Sequence, residues 1–279
     1  MNREQRKVAI ITGATSGIGA EAAKVLAADG MHLVLPVRSM QKGELLRAEI
    51  IDKKPDAQID LMLCNLSSLQ SVRHFAEQFD AAYSRLDVLI NNAGVWETKR
   101  MESQEGIELT FAVNHLAPFL MTNLLLEKLK TTGNSRIITV SSNAHKFARI
   151  NLDDLEGKKS WNSTKAYARS KLANVLFTRS LAKLLNGSGV TAFSMHPGFV
   201  ATNLFSKFPG FLMPLFSLIM VSPQKGAETL VYLATQPELE KLNGSYFVNK
   251  RPASISKAGK DDLLATQLWE VSQLYVSKF

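Results

Sequence analysis

One cysteine in 279 residues, Cys64, leaves this chain unable to form an intramolecular disulfide or a cysteine-built metal cluster. A reducing compartment suits that composition. Clustered His and carboxylate spacings are missing too, so no metal site is expected. Long apolar runs are scarce: the strongest, from Phe205 to Val221, is broken by Lys207, Pro209, Gly210 and Pro214 and is too short to span a bilayer, so no transmembrane segment is expected. The charged opening MNREQRK leads into a brief apolar stretch and a glycine-rich turn, unlike a signal peptide or an anchor, and a cytoplasmic protein is expected. The closing Ser277-Lys278-Phe279 is similar to the peroxisomal S-K-L address but ends in the wrong residue. Basic tracts are lacking as well. The formal net charge is +8, yet the Lys and Arg residues are scattered and pairs such as Lys158-Lys159 are too short to hold a nucleic acid, so none is expected as a partner.

What remains is a composition of 46% hydrophobic and 21% charged residues, that of an ordinary globular chain. Short apolar runs bounded by turn residues, at 8–12, 32–37, 59–63, 88–90, 137–140, 190–195 and 245–248, predict strands buried on both faces. Between them, 17–28, 40–53, 69–83, 106–129, 164–185 and 224–234 carry apolar residues at helical spacing. Alternation of this kind requires parallel strands joined by right-handed crossovers, with helices on both faces of an open sheet. No linker, repeat or low-complexity tract divides the chain, so residues 1–279 are expected to form a single domain: α/β, doubly wound, with a parallel sheet of about seven strands.

The first strand runs into Thr12-Gly13-Ala14-Thr15-Ser16-Gly17-Ile18-Gly19, directly before the first helix. Glycines spaced in this way let the loop turn tightly, so that amides at the helix N-terminus face a pyrophosphate, and a Cβ would block the approach. The second strand ends in Val37-Arg38-Ser39. An NAD site normally carries Asp or Glu there for the ribose 2′-hydroxyl, whereas Arg38 forms a charge-assisted fork suited to a 2′-phosphate, so NADP(H) is expected.

Tyr167 and Lys171 stand four residues apart on a predicted helix, which stacks them on one face. A free tyrosine titrates near a pKa of about 10, and a neighbouring ammonium stabilises its phenolate, so the pair reads as a proton-transfer group. His115, His145 and His196 have flanks that suggest packing or loop roles instead.

Taken together, TGATSGIG, Asn91-Asn92-Ala93-Gly94, Tyr167-Ala168-Arg169-Ser170-Lys171 and Pro197-Gly198 resemble the short-chain dehydrogenase/reductase family in its NADP-preferring form, over nearly the whole chain. Ser141 to His145 and His196-Pro197-Gly198 are similar to the branch holding retinol dehydrogenases and related carbonyl reductases. The resemblance implies a Rossmann-like fold and a catalytic set of Tyr167, Lys171, Ser142 and Asn114. In that set Ser142 steadies a carbonyl oxygen, Lys171 also holds the nicotinamide ribose, and Asn114 keeps a water beside Lys171. It further implies cofactor contacts from Gly13, Thr15, Ser16, Gly17, Ile18, Gly19, Arg38, Asn92, Ala93, Gly94, Tyr167, Lys171, Pro197, Gly198, Val200 and Thr202. Asn65-Leu66 stands where the family usually has Asp-Leu, and an Asn there can still accept from or donate to adenine.

Downstream, about 199–222 matches the place where the family carries a lid, and its Phe, Leu and Met content suits a hydrophobic carbonyl or alcohol substrate, a peripheral membrane contact, another subunit or simply the core. Pairing of two chains through the long helices at 106–129 and 164–185 is implied by analogy alone. A different reading, a non-catalytic NADPH-binding regulator or scaffold on the same fold, would be expected to lose part of the catalytic set, and all four residues are present.

Overall fold

The structure, a computed structural model, describes residues 6–200 and 220–279. Seven parallel strands, β1 (Val8–Ile11), β2 (His32–Val37), β3 (Gln58–Leu63), β4 (Val88–Asn91), β5 (Ser135–Val140), β6 (Val190–His196) and β7 (Tyr246–Val248), line up in the order β3-β2-β1-β4-β5-β6-β7. A two-residue antiparallel strand, β8 (Arg251–Pro252), closes one edge as an eighth. The arrangement is Rossmann-like. Its chain order reverses between β1 and β4, and crossovers leaving in opposite directions open a crevice beyond the carboxyl ends of those two strands.

Strand alternation divides the core in two. Val8 and Ile10 pack with α3 (Leu69–Ala82) and the central helices, while Ala9 and Ile11 pack on the opposite face with α1 (Gly17–Ala28) and α2 (Met40–Lys53). Not every strand is buried on both faces. β3 is an edge strand with Asp60 and Leu63 exposed, and Asp60 accepts from Tyr83 at 2.7 Å and pairs with His32 at 2.7 Å.

The helix expected over 106–129 is divided. Glu108 caps α4 (Leu109–Phe111), a π-helical turn occupies Ala112–Leu116, and α5 (Ala117–Leu124) and α6 (Leu126–Thr132) follow, bent by 52° at their junction. Pro118 lacks the N–H that would close an ordinary turn onto Asn114, and the ladder widens so that the Ala117 N–H reaches the Ala112 carbonyl instead. Among the described residues no single helix is long and apolar enough to cross a membrane.

A long helix, α7 (Ser163–Leu184), and α8 (Pro223–Thr235) match expectation, but α9 (Asp262–Val276) was not anticipated. Ala265, Leu268, Ser272 and Val276 form its buried stripe. It lies where pairing between chains was expected: Trp269 packs edge-on to Phe119 at 4.9 Å and stacks on Phe177 at 5.8 Å, and Ser272 bonds His115 at 2.8 Å. Arg179 and Lys183 on α7 both pair with Asp262 at 2.8 Å. α9 thus covers the part of these two helices that holds Phe119 and Phe177. Phe177→Ala removes a ring shared by three aromatic neighbours and is expected to cost about 3–5 kcal/mol, read as an earlier midpoint in denaturant unfolding.

Candidate active site

The turn after β1 is held from the neighbouring strand. Thr12 Oγ1 accepts from the amides of both Asn92 and Ala93 at 3.0 Å, and Asn92 Nδ2 donates to the carbonyl of Thr12 at 2.8 Å. This ties the ends of β1 and β4 together at the crevice. A Cβ on Gly19 would lie 2.5 Å from both Asn92 Nδ2 and the Gly13 carbonyl, and Gly13 itself has a φ of +68°, so neither position admits a side chain without moving backbone.

The helix that follows is open at its N-terminus. Side chains of Ser39, Ser68, Asn162, Ser222 and Asp261 cap α2, α3, α7, α8 and α9, whereas Ser16 makes no such bond at α1 and no acidic residue occupies the first turn. Thr15, Ser16, Gly17 and Ile18 thus border amides left available to an anion, and the cradle fits a dinucleotide pyrophosphate.

Arg38 is exposed immediately after β2, and its guanidinium has no ion pair among the described residues. Past β3, Asn65 uses its Oδ1 locally, accepting from the amide and hydroxyl of Ser67 at 3.1 and 2.8 Å. Leu66 packs against the core.

Below the Asn92-Ala93-Gly94 turn, the π-helical segment delivers Asn114. Fully buried, it grips the backbone of Val95 from both sides, accepting at 2.7 Å and donating at 2.9 Å, and also donates to Ser170 Oγ at 3.0 Å. A Cβ on Gly94 would meet Asn114 Oδ1 and Lys171 Nζ, each at 3.3 Å, so glycine is what lets the chain pass over both groups.

Tyr167 and Lys171 share one face of α7, with Nζ 5.6 Å from the phenol centroid. Lys171 donates to the Val140 carbonyl at 3.1 Å, using one of its three N–H donors among the described residues. Of the two serines that end β5, Ser141 is buried and donates to the Lys171 carbonyl at 2.7 Å, while half-buried Ser142 caps the following turn by accepting from Ala144 and lies near enough to the Tyr167 phenol to favour its phenolate. Burial pushes the Tyr167 phenol up to about 12 against the opposing effect of nearby Ser142, and burial brings Lys171 down to about 8. Desolvation of the phenol thus outweighs the influence of Ser142, and burial favours the protonated form of Tyr167.

The histidines keep structural places. Burial lowers His115 to about 4 beneath α9, and His145 bonds the Ser142 carbonyl through Nδ1 at 2.7 Å while its Nε2 accepts from the Ser256 amide at 3.3 Å. His196, brought down to about 4 chiefly by burial, precedes Pro197 and Gly198, where φ is +91°. Val200 is buried against Gly226, whose Cβ would fall 2.7 Å from Val200 Cγ2 and 3.1 Å from Ile18. Thr202 and most of the expected lid lie outside the described residues.

Two groups at this site escaped the sequence reading. Trp96 stacks on Tyr167 with ring centroids 4.4 Å apart and planes 7° from parallel, and no local pattern marks it. Gly226, in the first turn of α8, brings that helix against Ile18 and Val200, a contact only the fold reveals.

A glycine cradle on an open helix end, with a Tyr–Lys pair and a serine beyond the neighbouring strand, defines a dinucleotide-dependent oxidoreductase site. The short chain dehydrogenase family model matches residues 7–209, and the chain belongs to that family. It is retinol dehydrogenase-like: it is 44% identical over 268 residues to mouse retinol dehydrogenase 11, covering 95% of this chain and 85% of that protein, and 39% identical over 289 residues to human retinol dehydrogenase 14, covering 97% and 86%. Among solved structures, an uncharacterised protein from Mycobacterium paratuberculosis superposes with a TM-score of 0.80 at 35% identity, covering 98% of this chain and 94% of that one. A short chain dehydrogenase from Burkholderia cenocepacia in complex with NADP shares the fold, with a TM-score of 0.71 at 23% identity over 93% of this chain and 100% of that one.

Proposed function

We propose that this protein is an NADPH-dependent oxidoreductase, built as one domain, that interconverts a carbonyl and an alcohol on a hydrophobic small molecule such as a retinoid, steroid, lipid aldehyde or aromatic ketone. The observation that carries the reading is the meeting of Tyr167, Lys171 and Ser142 beside the Gly94 turn, at the mouth of the glycine cradle. The names of the retinol dehydrogenase relatives support the substrate class. Arg38, exposed and without an acidic neighbour bound to it among the described residues, supports the phosphorylated cofactor.

Bound in the crevice, the nicotinamide supplies or receives the hydride. Ser142 donates its hydroxyl proton in a hydrogen bond to the substrate oxygen as negative charge gathers there, and Tyr167, kept protonated by burial, delivers a proton to that oxygen. Lys171 has donors left for the nicotinamide ribose hydroxyls and holds positive charge near the phenol as it gives up its proton. Asn114 clamps Val95 to α7 through Ser170, keeping the turn over Lys171 in place, and stands beside the route by which a water would re-protonate the pair. Oxidation runs the same steps in reverse.

A panel of ketones, aldehydes and quinones offered with NADPH or NADH, followed by loss of the reduced-nicotinamide absorbance, tests the reading; no turnover with any of them refutes it. The pH profile follows from Lys171. Its ammonium is present below a pKa of about 8 and lost above, so reductive kcat/KM is expected to hold through neutral pH and fall as pH rises past about 8. A profile flat to strongly alkaline pH removes the ammonium from the mechanism.

A further inference from the structure

From the geometry of Trp96 we propose that this residue is a specificity-determining wall of the substrate site, limiting the size of the group that flanks the reacting carbonyl. The proposal rests on the oxidoreductase reading and adds to it a residue outside the family motifs.

Trp96 is not a loose surface aromatic. Its indole Nε1 donates to Ser163 Oγ at 2.9 Å, and Ser163, the first residue of α7, in turn donates to the Glu97 carbonyl. Tyr167 sits one helical turn further along the same helix, so both rings are referred to one rigid element. Stacked at 4.4 Å and within 7° of parallel, the indole overlaps one face of the phenol in an offset stack. On its backbone side the segment is fastened too, because Asn114 holds Val95, the residue just before Trp96, through two hydrogen bonds.

Any substrate must bring its carbonyl oxygen within about 3 Å of the phenol oxygen to be protonated. An indole that overlaps that ring closes one direction of approach, and whichever substituent of the carbonyl points toward Trp96 has to fit beside it. A hydrogen fits without rearrangement, whereas a second ring collides with an indole that two anchors prevent from swinging away. Size discrimination therefore resides in a side chain that touches the proton donor. It adds to any selection made by the 199–222 segment.

The test compares benzaldehyde, with hydrogen flanking the carbonyl, and benzophenone, with a second phenyl ring there, in the wild-type protein and in Trp96→Ala and Trp96→Phe. NADPH binding, measured by its fluorescence, verifies that each variant retains a folded site. For Trp96→Ala the ratio of kcat/KM for benzophenone to that for benzaldehyde is expected to rise at least about 10-fold, the change coming mainly through benzophenone. Trp96→Phe, which keeps a flat ring over the phenol but loses the Nε1 bond to Ser163, should fall between the wild type and Trp96→Ala. A ratio unchanged in Trp96→Ala, with both substrates losing rate together, overturns the proposal and leaves Trp96 as a prop for Tyr167. A wild-type protein that turns over no carbonyl compound fails at the parent reading, and the specificity role falls with it.

Discussion

Tyr167→Phe is expected to lower carbonyl-dependent NADPH oxidation by about 10²- to 10⁴-fold, the usual range for loss of a positioned proton donor, while NADPH still binds. The substitution removes one oxygen and keeps the ring, so the stack on Trp96 and the packing of α7 survive. Lys171 retains its bond to Val140 and the cradle around Gly13 and Gly19 is untouched. Steady-state turnover and fluorescence titration of NADPH, run on the same preparation, separate chemistry from binding. Turnover equal to wild type would end the role assigned to Tyr167, and loss of NADPH binding would show the hydroxyl to be structural.

Arg38→Asp is expected to shift the ratio of NADPH to NADH efficiency by roughly 10- to 100-fold toward NADH, the worth of one charge-assisted contact and more once a carboxylate opposes the 2′-phosphate. Because Arg38 is exposed and engages no ion pair among the described residues, its loss should leave the melting temperature near wild type. Effects on cofactor choice can then be read without a stability correction. An unchanged preference would place selection of the phosphate elsewhere around the crevice.

Much of the architecture was legible because its signals are local. Val8–Ile11, His32–Val37 and Val88–Asn91 are apolar runs too short for a helix, rich in Val, Ile and Leu and bounded by turn residues, and length and flanks together mark them as buried strands. The long helix at 106–129 was legible as helical but not as broken: Pro118 removes the N–H that would bond Asn114, yet whether the ladder then widens or the helix ends is decided by the fold, which holds Asn114 on Val95. β3 was read as fully buried because periodicity does not distinguish an edge strand from a central one. The helix Asp262–Val276 passed unnoticed. Its buried positions are occupied by Ala265 and Ser272 as well as Leu268 and Val276, so the apolar stripe is faint until Phe119 and Phe177 are seen beneath it.

At the site, what could be read from residue order was the glycine loop, the basic residue after β2 and the Tyr167–Lys171 spacing, because each rests on chain-neighbour geometry and on the chemistry of a single residue type. Tertiary structure decided the rest. It gave Ser141 a separate bond to the Lys171 carbonyl, set the balance in which burial raises Tyr167 above its ordinary value, and brought Trp96 and Gly226 to the crevice from segments far apart in sequence. The reason is physical. Helical and strand periodicities are written in spacings of two to four residues, whereas desolvation and ring contacts depend on what the folded chain places overhead, and those neighbours are not encoded near the residues they control.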